Sequence, residues 1–365
     1  MTGSLIGCLN MSQDSGTIPF ELQNHLDQWV SSRPISHWGK TDLKTPLSLE
    51  FYKTWLDQGY NASMDYLKTH LPLKSNPKLL GVSLKSSLIF CFPYLPHPEG
   101  EDFPLKGLQV AQYAKGNDYH FWIKKHLSEL SADLKTRYPE EEFLVLTDSG
   151  PIMERDLAYR AGLGWIGKNT CLIDRKEGSY FLIGEILTSL PLQNNLEIQV
   201  QPDFCGTCTA CIEICPTQAI KEPRLIDAGL CISYLTIESR EVPPKELRSK
   251  IGNWFFGCDL CQSVCPWNKK VFKSLLAPPN DNLENKTDVT NELQMILSSS
   301  GKTLTRLFKG TPLHRAGPFG LKRNAMLVAA NLKITELEPE IETYLSHEKL
   351  GELAEWCLKE LRKPV

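Results

Sequence analysis

Seven of the twelve cysteines fall into two tight runs. In CGTCTACIEICP, Cys205, Cys208, Cys211 and Cys215 are separated by two, two and three residues, and Pro216 follows. At this spacing one loop presents three thiolates to a [4Fe–4S] cubane. The longer gap before proline turns the fourth sulfur toward a neighbouring cluster. The second run, CDLCQSVCP, sets Cys258, Cys261 and Cys265 before Pro266 and lacks a cysteine at its front. Cys231, in GLCISYL, is the natural eighth ligand. Crossed pairing assigns Cys205, Cys208, Cys211 and Cys265 to one cluster, and Cys231, Cys258, Cys261 and Cys215 to the other. Structural zinc usually pairs two knuckles of two ligands and fits this spacing poorly. Cys8, Cys91, Cys171 and Cys357 stand alone and read as small buried hydrophobes. Two adjacent clusters conduct electrons, so the electron consumer belongs to the rest of the chain.

Two further stretches carry candidate chemistry. In TDSGP, Asp148 ends a predicted strand and precedes a glycine turn, where a side chain can face a cleft. Helix capping explains it less well: with Pro151 as the first helical residue, the cap is Gly150 and Asp148 comes two residues early. Glu154 and Asp156 read as first-turn acids favoured by the helix dipole. GLGWIG (162–167) matches G-x-G-x-x-G, but a helix precedes it and a strand follows, the reverse of a dinucleotide fold. Its glycines permit close backbone approach to a bulky ligand, and Lys168, Asn169 and Thr170 follow to bond that ligand's polar edge. A plain helix-to-strand turn is the alternative.

The elements that must position these residues are readable. SSLIFCFPYLP (86–96) predicts a buried strand, and YHFWIKKHLSELSADLKTRYP (119–139) an amphipathic helix closed by Pro139. EFLVLTDSGP (142–151) is a strand entering a turn, and PIMERDLAYRAG (151–162) a helix beginning at proline. TCLIDRKEGSYFLIGEILTSL (170–190) predicts a hairpin about DRKEG. Helices and strands mix without regular β-α-β repetition, which predicts an α+β chain. PLQNNLEIQVQPDF reads as a linker, and the end of the chain as one or two helices of a HEAT-type repeat.

Bulk properties narrow the classes. The 365 residues are 41% hydrophobic and 23% charged, ordinary for a chain of two or three domains. No apolar run spans a bilayer, and MTGSLIGCLNMSQDSG lacks the basic start of a secretory signal. A cytoplasmic protein with no membrane partner is expected, its cysteines ligands or free thiols. Net charge is only −3, yet no acid stands between Glu292 and Glu336. That interval holds Lys302, Arg306, Lys309, Arg315, Lys322, Arg323 and Lys333, either a phosphate-binding surface or a solvated helical face.

In combination, AQYAKGNDYH, VLTDSGPIMERDLAYRAGLGWIGKNT, the two cysteine runs, CISYLTIE, VCPWN and GTPLHRAGPFGLKRNA resemble the epoxyqueuosine reductase family from about residue 35 to 335. The resemblance implies reduction of epoxyqueuosine to queuosine at the tRNA wobble position, using cobalamin and two [4Fe–4S] clusters. It implies an N-terminal cobalamin-binding α/β domain similar to reductive dehalogenases (1–195). A bacterial-ferredoxin-like two-cluster domain (196–270) and a helical tRNA-contacting segment (271–365) follow. Asp148 becomes the proton donor, kept protonated near neutral pH by a desolvating pocket. Lys168, Asn169, Thr170, Ser233 and Thr236 become cobalamin contacts, and Arg315, Lys322 and Arg323 tRNA contacts. An external low-potential electron donor and a monomeric state are expected. The competing readings are a reductive dehalogenase of small organohalides and a non-catalytic iron–sulfur electron carrier.

Overall fold

The structure is a computed structural model and describes residues 20–81, 83–94, 105–192, 202–269 and 286–363. Most of the expected linker, and Cys8, lie outside the described residues. Among the described residues no helix is long and apolar enough to cross a membrane.

The N-terminal half is built on four strands: β1 (His37–Asp42), β2 (Ser86–Pro93), β3 (Phe143–Thr147) and β4 (Phe181–Thr188). Their order is β1-β2-β4-β3 and every neighbouring pair is antiparallel. The sheet is therefore that of the α+β unit that the mixed order of elements predicts, and the α/β label that the resemblance implied for this half gives way to it. β2 and β4 bury both faces, which explains their nearly unbroken apolar sequences. Leu88, Phe90, Phe92 and Ile186 pack against α1 (Phe20–Ser31) and α2 (Tyr119–Arg137). Ile89, Cys91 and Leu187 pack on the other side with Leu157 and Ala158 of α3 (Glu154–Arg160).

α2 begins where Asp118 accepts the His120 amide, and it buries Ile123, Leu127, Leu130 and Leu134 along one stripe. α3 begins three residues later than Pro151 predicts, with Met153 rather than Gly150 preceding it. The DRKEG turn is closed by an Asp174–Gly178 bridge, but its arms diverge. Leu172–Ile173 pairs with Trp165–Ile166, whereas Phe181–Thr188 joins the main sheet. Pairing within the GLGWIG loop thus replaces the expected long hairpin.

Residues 202–269 carry three short α-helices, of which Ala210–Glu213 and Leu260–Ser263 pack together, and a small Ile220–Glu222/Leu225–Ile226 hairpin. The C-terminal helices surround α4 (Gly317–Asn331), which is buried from Leu321 to Ala330 except at Lys322. A helix apolar on nearly every side belongs at a centre. Ile232, Leu235, Phe255 and Phe256 share one core with Leu293, Ala325 and Leu353. The chain's end forms two helices, Glu338–Glu342 and Gly351–Leu361.

Candidate active site

Asp148 closes β3 with φ at +48°, a left-handed conformation that Asp tolerates better than most residues. The Ser149 amide bonds back to the Thr147 carbonyl at 2.5 Å, so the chain reverses at once. The carboxylate is thereby presented at the end of the sheet, with its side chain 57% exposed. The Tyr119 hydroxyl donates to its Oδ2 at 2.6 Å, and His120 Nε2 lies 3.1 Å from the same oxygen. His120 Nδ1 in turn meets Asp118 Oδ1 at 2.7 Å. An imidazole between two carboxylates is a proton carrier. Burial works against its charge, but Asp118 and Asp148 outweigh burial and lift His120 to about 9. Burial also pushes Asp148 up; hydrogen bonds from His120 and Tyr119 and the charges of His120 and Arg315 prevail and hold it below the ordinary carboxylate value. These directions run against the expected protonated Asp148: the pairing favours the proton on His120 over Asp148. Neither Tyr119 nor His120 was singled out in the sequence. Their signal was the NDYH start of an amphipathic helix, which reads as a cap.

Other charged groups surround this acid. Arg315 forms a two-point pair with Glu238, both N–O distances being 3.0 Å. Lys74 Nζ donates to the Ile152 carbonyl at 2.8 Å and lies within electrostatic reach of Asp148 and Glu154. Tyr66, Tyr113 and Tyr119 also sense Asp148, and the rings of Tyr113 and Tyr119 meet edge-on at 6.0 Å. Asp156 belongs to a different arrangement, a buried pair with Arg160 at 3.2 Å.

The cysteine thiols group across the two runs. Cys211 is within electrostatic reach of Cys205, Cys208 and Cys265; Cys258 is within reach of Cys231 and Cys215. Cys261 senses Cys231 and Cys258. The first loop faces solvent at Gly206, Thr207 and Thr209, while buried Gly257 and Asp259 flank Cys258.

Four of the five residues expected to face cobalamin make contacts in or beside the cysteine segments. Lys168 Nζ donates to the Gly206 and Cys208 carbonyls at 2.7 and 2.9 Å. Asn169 donates to the Cys261 carbonyl at 3.1 Å and accepts the Cys171 amide at 3.2 Å. Thr170 has φ at +69°, and its carbonyl accepts from Arg155. Ser233 turns its hydroxyl and amide toward the Cys231 thiol. Thr236 is fully buried in the π-turn Tyr234–Glu238, donating to the Ile232 carbonyl at 2.7 Å and accepting the Gly257 amide at 3.0 Å. Gly164 has no space for a side chain because a Cβ would strike the Ile173 carbonyl. The loop's glycine is needed for packing on its own strand.

The three expected tRNA contacts also separate. Arg315 is 56% exposed. Lys322 is tied to the Tyr344 hydroxyl at 2.5 Å. Arg323 is fully buried, its guanidinium donating to the Ser239 and Glu241 carbonyls at 2.7 and 2.9 Å and to Asn324 Oδ1. Arg323 is thus a buried tie and offers nothing to a polyanion.

Comparison with known proteins decides the family. Residues 74–149 match the family model for epoxyqueuosine reductase QueG, and residues 204–268 match that for a 4Fe-4S double cluster binding domain. An epoxyqueuosine reductase of Cyclobacterium marinum is 39% identical over 280 residues, covering 76% of this chain and 86% of that protein. The chain belongs to the epoxyqueuosine reductase family. The Pseudomonas aeruginosa epoxyqueuosine reductase is 34% identical over 349 residues, covering 93% and 95% of the two chains. The structure of epoxyqueuosine reductase from Bacillus subtilis superposes with a TM-score of 0.80 at 26% identity, covering 94% of this chain and 91% of that one. An epoxyqueuosine reductase solved with an epoxyqueuosine-modified tRNA-Tyr stem loop gives 0.79 at 26% identity, with the same coverage. As in that family, this chain carries a 4Fe-4S double-cluster domain.

Proposed function

We propose that this epoxyqueuosine reductase reduces epoxyqueuosine to queuosine in tRNA, with Asp148 as the group that protonates the departing oxygen. The observation that carries the reading is the Asp118–His120–Asp148 chain, at 2.7 and 3.1 Å, ending in a solvent-open carboxylate. Deoxygenation breaks both C–O bonds of the epoxide, takes up two electrons and two protons, and leaves an alkene and water. His120 passes its Nε2 proton to Asp148 as the epoxide oxygen gains charge, and Asp148 delivers it. Asp118 holds His120 in orientation and stabilises its charged form. Tyr119 fixes the carboxylate that receives the proton.

The cofactors of this reading are two [4Fe–4S] clusters and cobalamin. Cys205, Cys208, Cys211 and Cys265 would hold the outer cluster; Cys231, Cys258, Cys261 and Cys215 the inner one. Cobalamin fits the Asp148 surroundings, where an open carboxylate stands among Tyr66, Tyr113 and Tyr119. Tyr66, Tyr113 and the Ser233–Glu238 segment would border it. When bound, cobalamin supplies a low-potential metal centre able to act at carbon. Lys168 and Asn169, whose polar ends bind cluster-loop carbonyls, are assigned to the clusters instead. An external low-potential donor would load the outer cluster. Residues 1–195, 196–270 and 271–365 remain the working division into catalytic, cluster and tRNA-contacting parts. Arg315 is the exposed one of the three expected tRNA contacts, and Lys302, Arg306 and Lys309 of the basic stretch are exposed beside it in sequence. A monomer in the cytoplasm is the working assembly and location.

The test is anaerobic incubation of reconstituted protein with cobalamin, a strong reductant and tRNA carrying epoxyqueuosine, followed by nucleoside mass measurement. Loss of one oxygen, absent without cobalamin, is expected. An unchanged nucleoside, with clusters and cobalamin shown to be bound, would overturn the assignment.

A further inference from the structure

One buried acid near the site is left without a hydrogen bond. Glu185 lies in the middle of β4, facing Ile89 of β2 and Leu146 of β3 across the ladder. Its side chain is on the sheet face shared with Leu187, packed under α3. It is 0% exposed, and neither carboxyl oxygen has a hydrogen-bond partner. Above it, Glu154 opens α3 with its own Oε1 buried and unpartnered. An ionised carboxylate without partners in such a place is strongly disfavoured, so both favour the neutral, proton-bearing form. Burial and the mutual charges of Glu154, Glu185 and Asp148 act in the same direction. Glu154 is pushed up to about 8, partly offset by Lys74 and Arg155, and Glu185 is raised well above its ordinary value. Of the charged groups near Asp148, His120 and Arg315 act the other way and favour its ionised form.

We propose that Glu185 and Glu154 hold the second proton of the deoxygenation in reserve and pass it to Asp148 after the first has been delivered. This rests on the reaction proposed above, which needs two protons while the His120–Asp148 pair stores one. The first C–O bond breaks as Asp148 protonates the oxygen. The hydroxyl then departs as water, taking the proton that Glu154 has passed to Asp148 and that Glu185 replaces. The two electrons come singly from the external reductant through the clusters. Solvent later reprotonates the carboxylates, so atoms and charge balance over a turnover. Glu154 accepts from the Asp148 backbone and Glu185 lies in the interior, which makes Glu185 a positioning and storage group rather than a catalytic one.

The closing experiment has two arms. In the first, infrared difference spectra compare reconstituted wild type with E185Q and E154Q at neutral pH. The expected result is a protonated-carboxyl carbonyl band in wild type that shifts in heavy water and is lost in E185Q. If wild type has only carboxylate bands, the proposal is overturned, whatever the enzyme's turnover. In the second, turnover of epoxyqueuosine tRNA is followed against pH. E185Q and E154Q are expected to lose about 100-fold with iron content intact. E185D, which keeps a carboxyl, should recover part of the rate and the alkaline limb of the profile. Wild-type rates in E185Q would overturn the proposal. Should E185Q fail to fold, E154Q and E185D carry the same comparison. A wild-type enzyme that leaves the tRNA unchanged would count against the assigned reaction, and the infrared band would still judge the carboxyl pair.

Discussion

At the scale of single residues, the pairing of His120 with two carboxylates decides when the site can act. An ordinary histidine loses its proton near pH 6.5, whereas His120 keeps it to about 9. Its folded-state value is raised, so the stabilisation from this pairing is complete below about pH 6.5 and is lost as pH rises through 9. Asp148 has the opposite sign. Its value is depressed, so its contribution is present above the unfolded value of about 3.9 and is lost as pH falls through the lowered one. Turnover should accordingly fall on the alkaline side in two steps, near pH 8 as Glu154 loses its proton and near pH 9 as His120 does. In His120→Gln the step near pH 9 should vanish, with a rate at least about 100-fold below wild type. Stopped-flow turnover across pH 6–10 checks this; an unchanged alkaline limb in His120→Gln would remove His120 from the proton path. Asp148 itself was legible because a strand end followed by DSGP is an unusual place for a bare carboxyl. Its protonation state was not, because that depends on His120, 28 residues away in sequence and 3.1 Å away in space. Glu185 also left a trace, as a lone acid inside the apolar run FLIGEILTSL. Period-two alternation places Glu185 with Ile183 and Leu187, and only the presence of α3 over that face shows it to be buried.

At the scale of elements, the GLGWIGKNT loop shows how a correct local reading leaves the partner to be set by packing. The sequence indicated a helix, a glycine turn and a strand, and that order is present. What the turn touches is set by tertiary packing. Trp165 stacks edge-on against Phe204 and Trp267, at 5.1 Å each, and so draws the loop onto the cluster segments. From there Lys168 and Asn169 reach the carbonyls beside Cys208 and Cys261. Their replacement should therefore be felt at the clusters. Asn169→Ala leaves the Cys261 carbonyl and the Cys171 amide without this partner, a cost of about 1–3 kcal/mol for each buried group left unsatisfied. The expected outcome is faster loss of iron on exposure to air, with cobalamin affinity within about twofold of wild type. Iron assay and cobalamin titration of the same preparation separate the two roles; intact clusters with weakened cobalamin binding would restore the original expectation. Arg323 was misread for a related reason. GLKRNA sits in a basic interval, but α4 is the central helix of its bundle and carries Arg323 inward to the Ser239 and Glu241 carbonyls.

At the scale of the whole molecule, the second cysteine run is tied both to the sheet and to the C-terminal helices. Asn268, from VCPWN, accepts the Ser179 amide at 2.7 Å and donates to its hydroxyl at 2.9 Å, fixing the second cysteine run to the start of β4. The shared core of Ile232, Phe255 and Ala325 fixes the same run to the C-terminal helices. The crossed grouping of thiols lies within this frame. Cys265 comes from the second run but stands with Cys205 and Cys208. Because that set includes the solvent-facing loop at Gly206 and Thr207, we propose that its cluster would be the entrance and that the set beside buried Gly257 would hold the inner relay. Cys265→Ser should then disturb the same cluster as Cys205→Ser, although 60 positions separate the two residues. Serine is a poor replacement for thiolate, so iron should fall by about half and the remaining paramagnetic signal should match that left in Cys205→Ser. Reduction by a protein donor should slow far more than reduction by a small chemical reductant, which can reach the inner cluster directly. If Cys265→Ser instead leaves the signal seen in Cys258→Ser, ligands pair within each run, and the entrance must be sought beside the second run.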